Sequence, residues 1–94
     1  MIRMDEQSCP RLARGVRLRN DPITEEPLLL FPEGVLPLDE ITHDILRRCS
    51  GEATLESIIQ ALAEEYEMDQ DTIRVDVCEC LVHLRQRMLI AFSK

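Results

Sequence analysis

The five prolines and three glycines of this chain all fall at or before Gly51, and residues 52–94 hold none. Proline fixes φ and removes a backbone donor, and glycine relaxes the chain into turns. The first half must therefore be short extended pieces joined by turns, while the second half is free to run as helix. The joint between the two regimes is Phe31–Gly51. Pro32-Glu33-Gly34 reads as a tight turn. Val35, Leu36 and Leu38 follow as a short strand, and Pro37 within it cannot donate to a ladder, which places that strand at a sheet edge or a bulge. Asp39 is an N-cap residue for a helix over about Glu40 to Cys49, whose buried stripe is Ile41, Ile45, Leu46 and Cys49 and whose end is served by Gly51.

Working outward from that joint, residues 1–9 are polar and read as a flexible N-terminal tail, leaving 10–94 as a single domain. Pro10 to Gly15 leads in. Val16-Arg17-Leu18-Arg19 alternates apolar and basic with the period of a half-buried strand. Asn20-Asp21-Pro22 and Glu25-Glu26-Pro27 mark a loop. Leu28 to Phe31 is too short for a helix before Pro32 and reads as a strand, so these pieces form a three-stranded antiparallel meander. Beyond Gly51, Thr54 caps a second helix with the stripe Leu55, Ile58, Ile59, Leu62 and Ala63, ending near Tyr66. Asp69 or Asp71 caps a third, running to about Arg87, and Leu89 to Phe92 reads as a short closing strand. The fold class expected is α+β and winged-helix-like, a three-stranded antiparallel sheet followed by a three-helix bundle.

The third helix carries more than one apolar stripe. At about 100° per residue, Ile73, Val77, Cys80, Leu81, Leu84 and Met88 share one sector. Val75, Cys78, Val82 and Leu89 gather on nearly the opposite side, flanked by Arg74 and Arg85. A surface helix needs a single apolar face, so the second stripe must meet the sheet, a second copy in a homodimer, or a peptide.

Composition narrows the function. The formal net charge is −7, and only one tyrosine and two phenylalanines are present. Nucleic acid demands a basic field and, for single strands, aromatic platforms. A winged-helix DNA-binding regulator is thus the alternative reading, and no nucleic acid is the expectation. The charge is uneven, with Arg3, Arg11, Arg14, Arg17 and Arg19 in the first twenty residues against Asp5 and Glu6, a pattern that suits protein partners or simply a soluble surface. No apolar run reaches the roughly 18–20 residues of a membrane span, and the start lacks a signal-peptide core, so a cytoplasmic protein without membrane contact is expected. Its four cysteines then read as reduced thiols.

Catalytic chemistry is not legible. Cys78 and Cys80 stand about 200° apart on a helix and cannot share one metal, and Cys9 and Cys49 lack paired spacing. His43 and His83 stand outside any motif. The carboxylates are spread over helix surfaces, and no glycine-rich phosphate loop exists. The expectation is no enzyme activity, no catalytic or metal-binding residue and no cofactor.

Phe31-Pro32-Glu33-Gly34-Val35-Leu36-Pro37-Leu38-Asp39, with Ile45-Leu46 and Cys49-x-Gly51, resembles the protein D family of pyrroloquinoline quinone (PQQ) biosynthesis. Pro10-x-Leu12, Gly15-Val16-Arg17, Thr54 with Ile58, Leu62 and Tyr66, and Asp76-Val77 with Leu81 and Leu84 extend the likeness over about Pro10 to Phe92. The family's aromatic residue in the third helix is replaced by Cys80, and its helix-ending glycine by Met88. The resemblance implies a non-catalytic peptide chaperone, a recognition element for ribosomally made and modified peptides. Such a module holds the precursor peptide of the quinone cofactor for a radical S-adenosylmethionine enzyme that links a glutamate to a tyrosine. Related domains take the peptide as an added strand beside the third strand, over a groove shared with the third helix. On that footing the peptide-binding residues expected here are Val35, Leu36 and Leu38 on the strand, and Arg74, Val75, Cys78, Val82 and Arg85 on the helix.

Overall fold

A computed structural model describes residues 7–93. Five strands and three helices follow in the order β1 (Cys9–Leu12), β2 (Arg17–Asn20), β3 (Pro27–Phe31), β4 (Gly34–Pro37), α1 (Glu40–Arg47), α2 (Leu55–Glu65), α3 (Gln70–Gln86) and β5 (Ile90–Ser93). Strands β2, β3 and β4 form the expected antiparallel meander. Each lies within a residue or so of its expected position, because the prolines and the Asn20-Asp21 turn leave the chain little choice.

The sheet content differs from expectation in one respect. A second, two-stranded ribbon pairs β1 with β5, Leu12 opposite Ile90 and Cys9 opposite Ser93. Its other side is taken by the segment between α1 and α2, where Arg11 bridges Ser50 and the Gly51 N–H donates to the Pro10 carbonyl at 3.0 Å. Four residues that include a proline carry no visible strand signal when their partner lies at the far end of the chain. Met1 to Glu6 of the expected tail lie outside the described residues; of its last members, Ser8 is buried and Cys9 opens β1.

The core is aliphatic, as a chain so poor in aromatics requires. Leu29 of β3, Ile45 and Leu46 of α1, Leu55, Ile58, Ile59 and Leu62 of α2, and Ile73, Val77, Leu81 and Leu84 of α3 are almost fully enclosed. Each helix begins on the cap that its sequence announces. Asp39 accepts from the Thr42 N–H at 2.8 Å, Thr54 from Ser57 at 3.1 Å and Asp69 from Asp71 at 3.1 Å, each satisfying a first-turn amide that has no intrahelical partner.

The helix ends are less conventional. α1 stops at Arg47, two residues short of the expected Cys49, and Gly51, at φ +86°, serves the joint with β1 rather than the helix end. α2 and α3 end without glycine. Glu67 (φ +52°) and Met88 (φ +63°) hold the left-handed position themselves. Paired bonds close each terminus: Glu67 N–H to Glu64 and Met68 N–H to Ala63, then Met88 N–H to Arg85 and Leu89 N–H to Leu84. Orphan carbonyls of the last turn are thereby satisfied at the cost of a strained side-chain-bearing residue.

Candidate functional site

The parity of the β3–β4 ladder decides what β4 offers outward. The Leu38 N–H donates to the Pro27 carbonyl at 3.0 Å, just beyond the strand. Antiparallel pairs alternate between bonded and non-bonded positions. Leu36, opposite Leu29, therefore bonds to β3, whereas Val35 and Pro37 turn their backbone groups away from it. Among the described residues no strand pairs that outer side. Its complete offer is the Val35 N–H and C=O and the Pro37 C=O. Pro37 withholds its missing donor from the margin and not from the ladder, which explains how a proline sits here without weakening the meander.

The opposite margin of the same sheet is partly screened by its own side chains. Asp21 N–H donates to Glu26 at 2.8 Å, so by the same alternation Leu18 and Asn20 face outward from β2. The Arg19 guanidinium covers the Leu18 carbonyl at 3.2 Å, and the Asn20 amide turns back to the Glu25 carbonyl at 3.1 Å. Charged side chains on such an edge discourage pairing. β4 is the open margin.

Which flank of α3 stands beside that margin follows from the contacts its side chains make. The buried stripe is Ile73, Val77, Leu81 and Leu84. On one flank Arg74 pairs with Glu56 of α2 at 2.9 Å and with Asp71 at 3.3 Å, and the Arg85 guanidinium lies 5.5 Å from the ring centroid of Phe92 in β5. On the other flank the Cys80 thiol lies 4.0 Å from the Thr42 hydroxyl of α1, and the Arg87 guanidinium lies 5.9 Å from the ring centroid of Phe31 at the end of β3. Phe31 precedes β4 and Thr42 follows it, so β4 runs along this second flank, antiparallel to α3.

The expected site is thus only partly assembled. Val35, Leu36 and Leu38 stand together on the open margin, Val35 being 54% exposed and the two leucines half-buried against the core. Arg74 and Arg85 reach α2 and β5, Cys78 and Val82 are half-buried on that side of α3, and Val75, 56% exposed, faces solvent. A helical wheel yields two stripes but does not say which neighbour each one meets. The usable signal was the connection: α1 leaves β4 after Leu38-Asp39, so the flank of α3 that meets α1 must also pass β4. Asp76, Glu79, Cys80, His83 and Arg87, which the expected site did not include, line the flank that meets α1 and the end of β3.

Two hollows lie along this flank. One, of about 450 Å³, is lined by Ile41, Thr42, Asp76, Glu79, Cys80 and His83. The other, of about 540 Å³, is lined by Arg14, Phe31, Pro32, Glu33, Arg87 and Met88. Burial pushes the Cys80 thiol pKa up, with Thr42 opposing and the Asp39 carboxylate adding, so Cys80 is a neutral, weakly polar wall residue at neutral pH. Cys49 is pushed up to about 12 by burial and donates a hydrogen bond to the Ile45 carbonyl. Both shifts favour the protonated thiol at neutral pH. Among the described residues no cluster of three or more His, Cys, Asp or Glu could hold a metal ion, and no helix is long and apolar enough to cross a membrane.

In sequence and in shape the chain is similar to proteins already known. Residues 26–90 match the family described as coenzyme PQQ synthesis protein D (PqqD). The chain is 38% identical over 90 residues to the PqqA binding protein of Xanthomonas campestris pv. campestris, covering 96% of this chain and 98% of that one. Its fold is similar to the solution NMR structure of the PqqD truncation of Methylobacterium extorquens PqqCD, a stand-alone RiPP recognition element, with a TM-score of 0.75, 35% identity and 87% of each chain covered. The crystal structure of PqqD from Xanthomonas campestris is similar with a TM-score of 0.57 and 38% identity, covering 93% of this chain and 97% of that one. With a family match across most of its length and relatives above a third identical end to end, this chain belongs to the PqqD family.

Proposed function

We propose that this protein is a non-catalytic chaperone in PQQ biosynthesis that takes the ribosomal precursor peptide as an added strand on β4 and presents it to a radical S-adenosylmethionine enzyme. The single observation that carries the reading is the outer margin of β4, unpaired among the described residues, with the Val35 N–H and C=O aimed away from the sheet. Strand addition supplies affinity through main-chain hydrogen bonds and selectivity through alternate side-chain pockets. A guest on this margin would direct alternate side chains toward α3 and its two hollows. The relatives named as PqqA binding protein and the recognition-element neighbour support the same role. The duplex-binding alternative loses its ground with family membership, and α3 presents Asp76 and Glu79 to solvent where phosphate readout wants cations.

The chain acts by holding and positioning, and bond making belongs to the partner enzyme. Val35→Pro tests this directly, because it deletes an outward donor while leaving every β3–β4 bond in place. With synthetic PqqA peptide, the lost bond alone weakens binding about fivefold, and the ring standing in the guest's path carries the loss to about tenfold or more. Asn20→Pro, which deletes the matching outward donor on the β2 margin, leaves binding unchanged. Equal affinity for wild type and Val35→Pro removes the reading.

A further inference from the structure

The hollows at the two ends of the β4 margin differ in sign. At the α1 end, Asp76 and Glu79 of α3 line the hollow with His83, its one basic side chain, and the Asp39 carboxylate stands near the Cys80 thiol on the same wall. At the turn end, Arg14 and Arg87 face Glu33. Asp76, Glu79, Arg14 and Arg87 are exposed, and among the described residues no ion pair engages them. A net positive corner is unexpected on a chain of net charge −7.

We infer that the slot is electrically polarised and selects a peptide whose cationic residue lies beside Asp76 and Glu79 and whose anionic residue lies beside Arg14 and Arg87. The proposal deepens the strand-addition reading and rests on it. Helix rise sets the spacing. From Asp76 or Glu79 to Arg87 is about 12–16 Å along α3, which an extended guest covers in roughly four or five residues. The recognised pattern is therefore an apolar strand segment with opposite charges at its two ends, in one order only.

The test uses two synthetic peptides of identical composition. One reads Lys-Lys, a Val-Thr-Val-containing strand, then Glu-Glu; the other exchanges the two charged ends. Whichever way the guest runs, one of the two places like charges together at both ends. Exposed pairs are individually weak, and two matched ends against two mismatched ends predict about a tenfold difference in dissociation constant, shrinking toward unity in about 1 M salt. The reciprocal variant Asp76→Lys, Glu79→Lys, Arg14→Glu, Arg87→Glu inverts the preference. Should four changes disturb folding, Glu79→Lys with Arg87→Glu reduces it measurably, and the salt titration needs no variant at all. Equal affinities with the Val35 amide resonance shifted by both peptides overturn the polarity while sparing strand addition. A Val35 amide that neither peptide moves overturns both.

Discussion

Replacing Met88 by glycine should make this protein more stable, although it deletes a whole side chain. Met88 holds φ +63° immediately after α3, and its N–H donates to the Arg85 carbonyl at 2.9 Å. A residue with a Cβ in that conformation costs about 1–2 kcal/mol. Glycine removes the cost but loosens the unfolded chain, returning about 0.4–1 kcal/mol. The side chain is 81% exposed, so its loss forfeits almost no apolar burial. The net gain is about 0.5–1 kcal/mol, or roughly 3–6 °C in Tm for a domain of this size. Thermal unfolding followed by circular dichroism, with urea titration beside it, reads the change. Met88→Ala is the control, since it removes the same exposed side chain but keeps the Cβ. If alanine stabilises as much as glycine, or if glycine lowers Tm, the strain assigned to this helix end is not there.

Stability should also decline on the alkaline side, and Cys49 sets the window. Its thiol ionises near 9 when exposed but is held to about 12 in the fold. Between those values the unfolded chain has released a proton that the folded chain keeps, so stability falls with rising pH by up to about 1.4 kcal/mol per unit; urea midpoints measured above pH 9 should lose part of this slope in Cys49→Ala. Tyr66, whose hydroxyl donates to Asp44, is likewise pushed up to about 12, and Tyr66→Phe should flatten the same curve above about pH 10. Asp39→Ala should lower stability by about 1 kcal/mol at neutral pH through loss of the α1 cap. Because hydrogen bonds from Thr42 hold the Asp39 carboxyl below its ordinary value of 3.8, that stability is present above this value and lost as pH falls through the folded pKa, so the two proteins should converge in acid.

The sequence made the meander, the three helices and their caps legible because each rested on a short-range rule. Pro32 and Pro37 bracketed β4, Asp39, Thr54 and Asp69 announced their helices, and the aliphatic stripes had helical spacing. What stayed hidden depended on contacts between distant segments. β1 needs β5 to exist as a strand, and the side of α3 that meets the sheet is settled by where α1 is led after β4. Cys80 was visible as an apolar-stripe member, yet its meeting with Thr42 was not. For the same reason β4 could be placed at a sheet edge from sequence, while the neighbours of each flank of α3 could not be assigned. The glycine-free stretch after Gly51 pointed correctly to helix, but it also concealed two left-handed termini that Glu67 and Met88 occupy instead of glycine.

Pro37 has one more effect, on the protein's dealings with its own kind. A bare strand margin invites any extended chain, including an identical neighbour, to zip on and continue. Here the margin furnishes one residue with both groups and then falls silent on the donor side, and two copies meeting edge to edge would each bring the same gap. The interruption works against adhesion of molecules in rows, and a guest of the kind proposed would be fastened by few enough rungs to be lifted off again.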